Sequence, residues 1–143
     1  MKKIFIASDH AGYILKEAIY REFKIRNKKF DIVNLGPNDS RRVDYPVYAH
    51  KLALRVKKLK KSVGILICGS GTGMSITANK HKNIRAAQCY DSKSTKLSRL
   101  HNDANIITLG SRLLTKKKAF HLVDIFLKTN FDGGRHLKRL KKI

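Results

Sequence analysis

Cys68 and the glycines after it are the residues best suited to chemistry in this chain. The stretch Ile65-Leu-Ile-Cys-Gly-Ser-Gly-Thr-Gly-Met-Ser-Ile76 passes from an uncharged apolar run into a glycine-rich turn and then into a helix expected from about Met74 to Lys82. A buried strand feeding such a turn gathers backbone N–H groups around a small space, where they hold an anion or a developing oxyanion. Gly69, Ser70, Gly71, Thr72 and Gly73 are the candidate cradle. A thiol beside a helix N-terminus has its thiolate form favoured, which makes Cys68 a candidate base within reach of oxyanion donors. The pattern is not a dinucleotide fingerprint, because G-x-G-x-x-G needs its third glycine one residue later, and no lysine stands where a P-loop requires one. Cys89, inside an apolar stretch, reads as a core residue.

Other polar groups have two readings each. Asp9-His10 closes the first expected strand, either as an acid–base pair or as a helix cap with a satisfied imidazole. His101-Asn102-Asp103 occupies a helix-to-strand connection, where turn chemistry alone would supply Asn and Asp. Arg112, Arg135 and Arg139 read as surface charge or as phosphate ligands. Arg135 and Arg139 are four residues apart, so a short helix opened by Gly133-Gly134 would present both on one face. The histidines show no ligand spacing in the sequence, and neither a metal nor a cofactor is expected.

The elements that must position these groups alternate. Strands are expected at Lys3 to Ser8, Asp31 to Leu35, Val63 to Cys68, Arg85 to Tyr90 and Asn105 to Leu109. Helices are expected from Gly12, from Tyr45-Pro46 (with Tyr48, Leu52, Val56 and Leu59 on its apolar face), after the glycine turn, from Lys93 to Leu100 behind an Asp91-Ser92 cap, and from Thr115 to Thr129. Phe131 to Gly134 breaks the last of these, and a basic helix or tail follows from about residue 131. Five strands alternating with helices imply an α/β fold, a Rossmann-like three-layer αβα sandwich around a five-stranded parallel sheet. Ligands in such folds bind outside the carboxyl ends of the strands, where Asp9-His10, Cys68, Asp91 and Gly110 to Arg112 gather. Strand order is not readable from the alternation.

With 143 residues the chain is expected to form one domain, 1–143. The apolar runs are too short to span a bilayer, and that of Met1-Lys-Lys-Ile-Phe-Ile-Ala is cut off by Ser8, Asp9 and His10. A cytoplasmic protein with reduced thiols is expected. Thirty-two Lys and Arg against ten acids give a net charge of +22, a surface that attracts polyanions nonspecifically. The charge is spread over Lys28-Lys29, Lys57-Lys58 with Lys60-Lys61, Lys116 to Lys118 and Arg135 to Lys142, with no nucleic-acid motif beside it.

Seven stretches, in order and spacing, carry a family resemblance: Ile6-Ala-Ser-Asp-His-Ala-Gly12, Asp44-Tyr-Pro46, Ile65 to Ile76, Ala78-Asn-Lys80, Leu97-Ser-Arg-Leu-His-Asn-Asp103, Leu109-Gly-Ser-Arg112 and Phe131-Asp-Gly-Gly-Arg-His136. The chain resembles the ribose-5-phosphate isomerase B family, within a wider sugar-phosphate isomerase group that includes the galactose-6-phosphate isomerase subunits. The resemblance implies that Cys68 is the general base, that Gly69 to Gly73 bind substrate and stabilise an enediolate, and that His101 assists ring opening with Asp9 nearby. It further implies that Asn102 meets a substrate hydroxyl, that His10, Arg112, Arg135 and Arg139 bind phosphate and substrate, and that two chains form a homodimer (or a tetramer of such pairs) sharing each site through the neighbour's His101. The implied reaction interconverts ribose 5-phosphate and ribulose 5-phosphate in the non-oxidative pentose phosphate pathway. Isomerisation of a hexose 6-phosphate, such as allose or galactose 6-phosphate, is the alternative within this chemistry. Nucleic-acid binding is the alternative from a different class, carried by net charge alone.

Overall fold

The computed structural model describes residues 2–26 and 30–143, so the expected Lys28-Lys29 basic pair lies outside the described residues. The elements are β1 (Lys2–Ser8), α1 (Tyr13–Arg26), β2 (Phe30–Asn34), α2 (Tyr45–Lys58), β3 (Val63–Cys68), α3 (Thr72–Ala78), β4 (Ala86–Gln88), α4 (Ser92–Leu100), β5 (Ile106–Gly110), α5 (Lys116–Lys128) and α6 (Arg135–Leu140). All strands are parallel, in the order β2-β1-β3-β5-β4.

Side-chain alternation along the central strands sorts the core into two layers. Ile4 and Ile6 of β1, with Ile65 and Ile67 of β3, pack under α1 and α5 against Leu15, Ile19, Leu122, Val123 and Phe126. Phe5, Ala7, Leu66 and Cys68 point the other way, toward Ala49, Leu52, Ala53 and Val56 of α2 and Met74 and Ala78 of α3. Strands buried on both faces need apolar residues at successive positions, and β3 is buried throughout. The expected αβα sandwich is the observed architecture. Among the described residues no helix is long and apolar enough to cross a membrane.

Three expected boundaries move. The helix expected to reach Lys82 ends at Ala78, because the Asn79 side chain pairs with the backbone of β4: its Nδ2 donates to Ala86 O at 2.9 Å and its Oδ1 accepts from Ala86 N at 2.8 Å. The strand expected over Arg85 to Tyr90 shrinks to Ala86–Gln88 at the sheet edge, where only β5 pairs with it. Leu59, expected on the buried face of α2, caps that helix and is 43% exposed. The expected Asp91 cap holds, accepting from Ser94 N at 2.8 Å, while Thr115, expected to open its helix, caps it instead, accepting from Lys118 N at 3.1 Å.

β1 and β3 are neighbours, while the connections from them run to opposite sides of the sheet. That junction is the crevice where α/β sheets place ligands. The β1–α1 turn is fastened across it: Asp9 N–H donates to Ile67 O at 3.1 Å, and Gly12 N–H donates to Asp9 Oδ1 at 2.9 Å. A Cβ at Gly12 would lie 2.5 Å from Ile67 O, a backbone atom that cannot yield. Gly12→Ala is therefore expected to destabilise the protein by about 1–3 kcal/mol, read as a lower urea midpoint with an unchanged slope.

Candidate active site

At the carboxyl edge a cleft of about 380 Å³ is lined by Asp9, Tyr45, Cys68, the glycine turn and Arg112, a size suited to a small molecule. Cys68 ends β3 and is 5% exposed. The chain turns back over it, so that Gly71 N–H donates to Cys68 Sγ at 3.1 Å. Gly71 makes this turn at φ +81, in the left-handed region, with Leu109 backbone atoms close behind it. The outer side of the turn is fastened to the end of β4 and the residues after it. Gln88 Nε2 donates to Ser70 O at 3.0 Å and to Thr72 Oγ1 at 2.7 Å, and Tyr90 OH donates to Ser70 O at 3.0 Å.

The β5–α5 connection completes this edge. Ser111 N–H donates to Cys68 O at 2.9 Å and Arg112 N–H to Gly69 O at 3.0 Å, which sets the Arg112 guanidinium against Gly69. The Tyr45 ring lies over Gly73 from the start of α2. His10 Nδ1 sits 3.2 Å from Val43 N and 3.1 Å from Val43 O, so the main chain of one residue holds the ring. Asp9, His10, Cys68, Gly69 to Gly73 and Arg112 thus belong to one edge of the sheet.

His101, Asn102, Arg135 and Arg139 belong to the other. His101 follows the carboxyl end of α4 and precedes the amino end of β5, whereas Cys68 lies level with Gly110 at that strand's far end. At about 3.3 Å per residue, the five steps from Asn105 to Gly110 separate the two edges by about 17 Å. Within one chain, therefore, His101 does not stand beside Asp9 or Cys68. It stacks instead on His136 of α6, with centroids 4.2 Å apart and planes 15° from parallel. Asp132 joins them through its N–H to Leu100 O at 3.0 Å, while Arg135 and Arg139 lie exposed on α6.

The family model described as Ribose/Galactose Isomerase matches residues 4–143. The chain belongs to the ribose/galactose isomerase family. It is 46% identical over 142 residues to the probable ribose-5-phosphate isomerase B of Mycoplasma genitalium, covering 98% of this chain and 92% of that one. Among solved structures, ribose-5-phosphate isomerase B of Clostridium thermocellum superposes with a TM-score of 0.94 at 45% identity, covering 98% of this chain and 93% of that one. The Mycoplasma genitalium enzyme, solved with ribulose-5-phosphate bound, gives 0.92 at 45% identity, covering 98% and 92%.

Two features of this family member escape a reading of the sequence. Tyr45 reads there as the residue opening a helix, within the Asp44-Tyr-Pro46 stretch, and nothing local ties it to Gly73. Asp132 and His136 have no ligand spacing with His101, yet the three bring one ligand atom each within 4.8 Å of one another. The near-parallel rings decide what this cluster suits. Imidazole lone pairs lie in the ring plane, so those of stacked rings run side by side and do not converge on an ion about 2.0–2.1 Å from each nitrogen.

His136 is buried, and its pKa is held below the ordinary 6.5 by that burial, then by His101, Arg135 and Arg139, with Asp132 opposing. A lowered folded-state value means that the unfolded chain takes up the proton first as pH falls. The stability His136 contributes is present above about 6.5 and is lost as pH drops through that value toward the lower folded-state one. Melting temperature is accordingly expected to fall more steeply from about pH 8 to about pH 5.5 in the parent protein than in His136→Gln; parallel curves would contradict this.

Proposed function

We propose that the chain is an aldose–ketose isomerase that interconverts ribose 5-phosphate and ribulose 5-phosphate through an enediolate, with residues 1–143 acting as one domain. The observation that carries this is Cys68, nearly closed off from solvent and 3.1 Å from Gly71 N, in a cleft shared with Asp9 and Arg112. The naming of relatives as ribose-5-phosphate isomerase B supports the same reading.

Aldose–ketose exchange removes a proton from the carbon next to a carbonyl and returns it to the neighbouring carbon. In this reading Cys68 carries that proton, and N–H groups of Gly69 to Gly73 hold the charge that develops on oxygen, each such donor being worth about 100- to 1000-fold in rate. Arg112 and His10 bind substrate from the same chain. Asp9, whose Oδ1 is taken by Gly12 N–H, offers Oδ2 for opening the furanose ring. His101 is the partner acid or base for that step, Asn102 meets a hydroxyl, and Arg135 and Arg139 grip the phosphate, all supplied by a second copy of the chain. A homodimer is what joins the two edges, since a rigid sheet keeps them apart within one chain. A cytoplasmic location accords with the two free cysteines.

Cys68→Ala is expected to lower kcat about 10²- to 10⁴-fold for ribose 5-phosphate in the presence of a chelator; full activity would sink the reading. Because the family also takes in galactose isomerases, comparing kcat/KM on ribose 5-phosphate with allose and galactose 6-phosphates ranks pentose against hexose. Shared sites make a separate prediction. Mixing inactive Cys68→Ala with inactive His101→Ala is expected to restore up to about a quarter of the activity, because random exchange makes half the dimers hybrids with one intact site each. No recovery despite demonstrated subunit exchange would rule out sharing.

A further inference from the structure

A second cavity has about twice the volume of the cleft at Cys68. It lies at the opposite, amino edge of the sheet, about 770 Å³ in volume, where β1, β3 and β5 begin and α2 ends. Lys2, Lys57, Lys60, Lys61 and Arg85 line it, with Val56, Leu59 and Val63 as an apolar floor. Asp103 is the acid in its wall, and two guanidiniums already hold it: Arg99 Nη1 at 2.9 Å and Arg85 Nη2 at 3.2 Å. The four lysines therefore face the cavity with no carboxylate in its lining left for them. Burial, then the charge of Arg99, lowers the pKa of Lys2 against the pull of Asp103.

The backbone is unusual at the same place. Among the described residues the non-glycine positions with positive φ are Lys61, Asn83 and Asp103, at 65°, 70° and 44°. All three line this cavity. Left-handed conformations are costly for a residue such as lysine and gather at functional sites.

We propose that this amino-edge cavity is a binding site for a small anion carrying two or more linked phosphates. A single phosphate dianion would leave most of the lysine charge unmatched, whereas linked phosphates spread acceptors across the group. The volume falls within the range of about 300–1,000 Å³ typical of small-molecule sites, and the apolar floor can receive an organic portion of the ligand. The site also touches the isomerase machinery, a link that rests on the function proposed above. Arg85 Nε donates to Asn102 O at 2.8 Å and to Asp103 O at 3.2 Å, so an anion that draws Arg85 into the cavity loosens the segment bearing His101 and Asn102. Filling it is expected to lower kcat for the sugar phosphate.

The test is calorimetric titration of pyrophosphate into the full chain at about 0.15 M salt, where long-range attraction is largely screened. One saturable site per chain is expected, weakened at least about tenfold by the double change Lys60→Ala and Lys61→Ala. Arg112→Ala, and the double change Lys116→Ala and Lys117→Ala that removes equal charge elsewhere, should leave it intact. Equal weakening by the Lys116 and Lys117 changes would reduce the effect to net charge, and loss with Arg112→Ala would place the anion in the substrate cleft; either overturns the proposal. So does a short DNA duplex that binds with the Lys60 and Lys61 dependence while pyrophosphate does not. Titration decides the site whether or not the protein proves to be an isomerase, and an unchanged kcat with the site filled overturns the link to Asn102.

Discussion

The candidate active site depends on how closely the β1–α1 turn can approach the end of β3. The hydrogen bond from Asp9 N–H to Ile67 O and the missing side chain at Gly12 bring a carboxylate to the side of Cys68. Every other part of the carboxyl edge is referred to that contact. The glycine turn folds back on Cys68, Arg112 is hung from Gly69 O, and Ser111 Oγ donates to Ala11 O at 2.8 Å, tying the β5–α5 connection to the same turn. Main-chain hydrogen bonds of this kind hold a site within tenths of an ångström without relying on the long side chains that would otherwise have to be ordered.

A buried cation steadies the other side of that turn. Lys16 of α1 is wholly buried, with its Nζ donating to Pro37 O at 2.6 Å, Glu17 Oε1 at 2.8 Å and Asn34 Oδ1 at 3.1 Å. A buried ammonium is tolerated only when its hydrogens are all satisfied, and here the three acceptors are met. The result fixes the start of the segment that runs on to Val43 and Tyr45, which in turn touch His10 and Gly73. The helix face that packs the core therefore also sets the loop that closes the cleft.

Much of this was legible in the residues. β3 was readable to its last residue, because an uncharged run bounded by polar residues and glycine has few other ways to fold. Asp91 announced its helix through capping chemistry, and the turn around Cys68 announced its donors through alternate glycines. Strand order was not legible, since pairing between β1 and β3 is written in no local pattern. Asn79 ended α3 early through bonds to a strand that the sequence could not place beside it. The gathering of His101 with Asp132 and His136 depends on where α6 docks, and a separation in sequence carries no trace of that. The division of polar residues between the two edges followed only once the direction of α4 relative to β5 was known.

The hold that Val43 has on His10 carries one more consequence. A neutral imidazole whose Nδ1 accepts from Val43 N–H must carry its hydrogen on Nε2. An imidazolium donates from Nδ1 to Val43 O instead, and Nε2 is still protonated. A neutral ring with its hydrogen on Nδ1 also donates to Val43 O, leaving Nε2 bare, so the N–H and C=O of Val43 accommodate every form of the ring. The placement of the ring is therefore indifferent to which form it takes, because the backbone offers a donor and an acceptor at the same point.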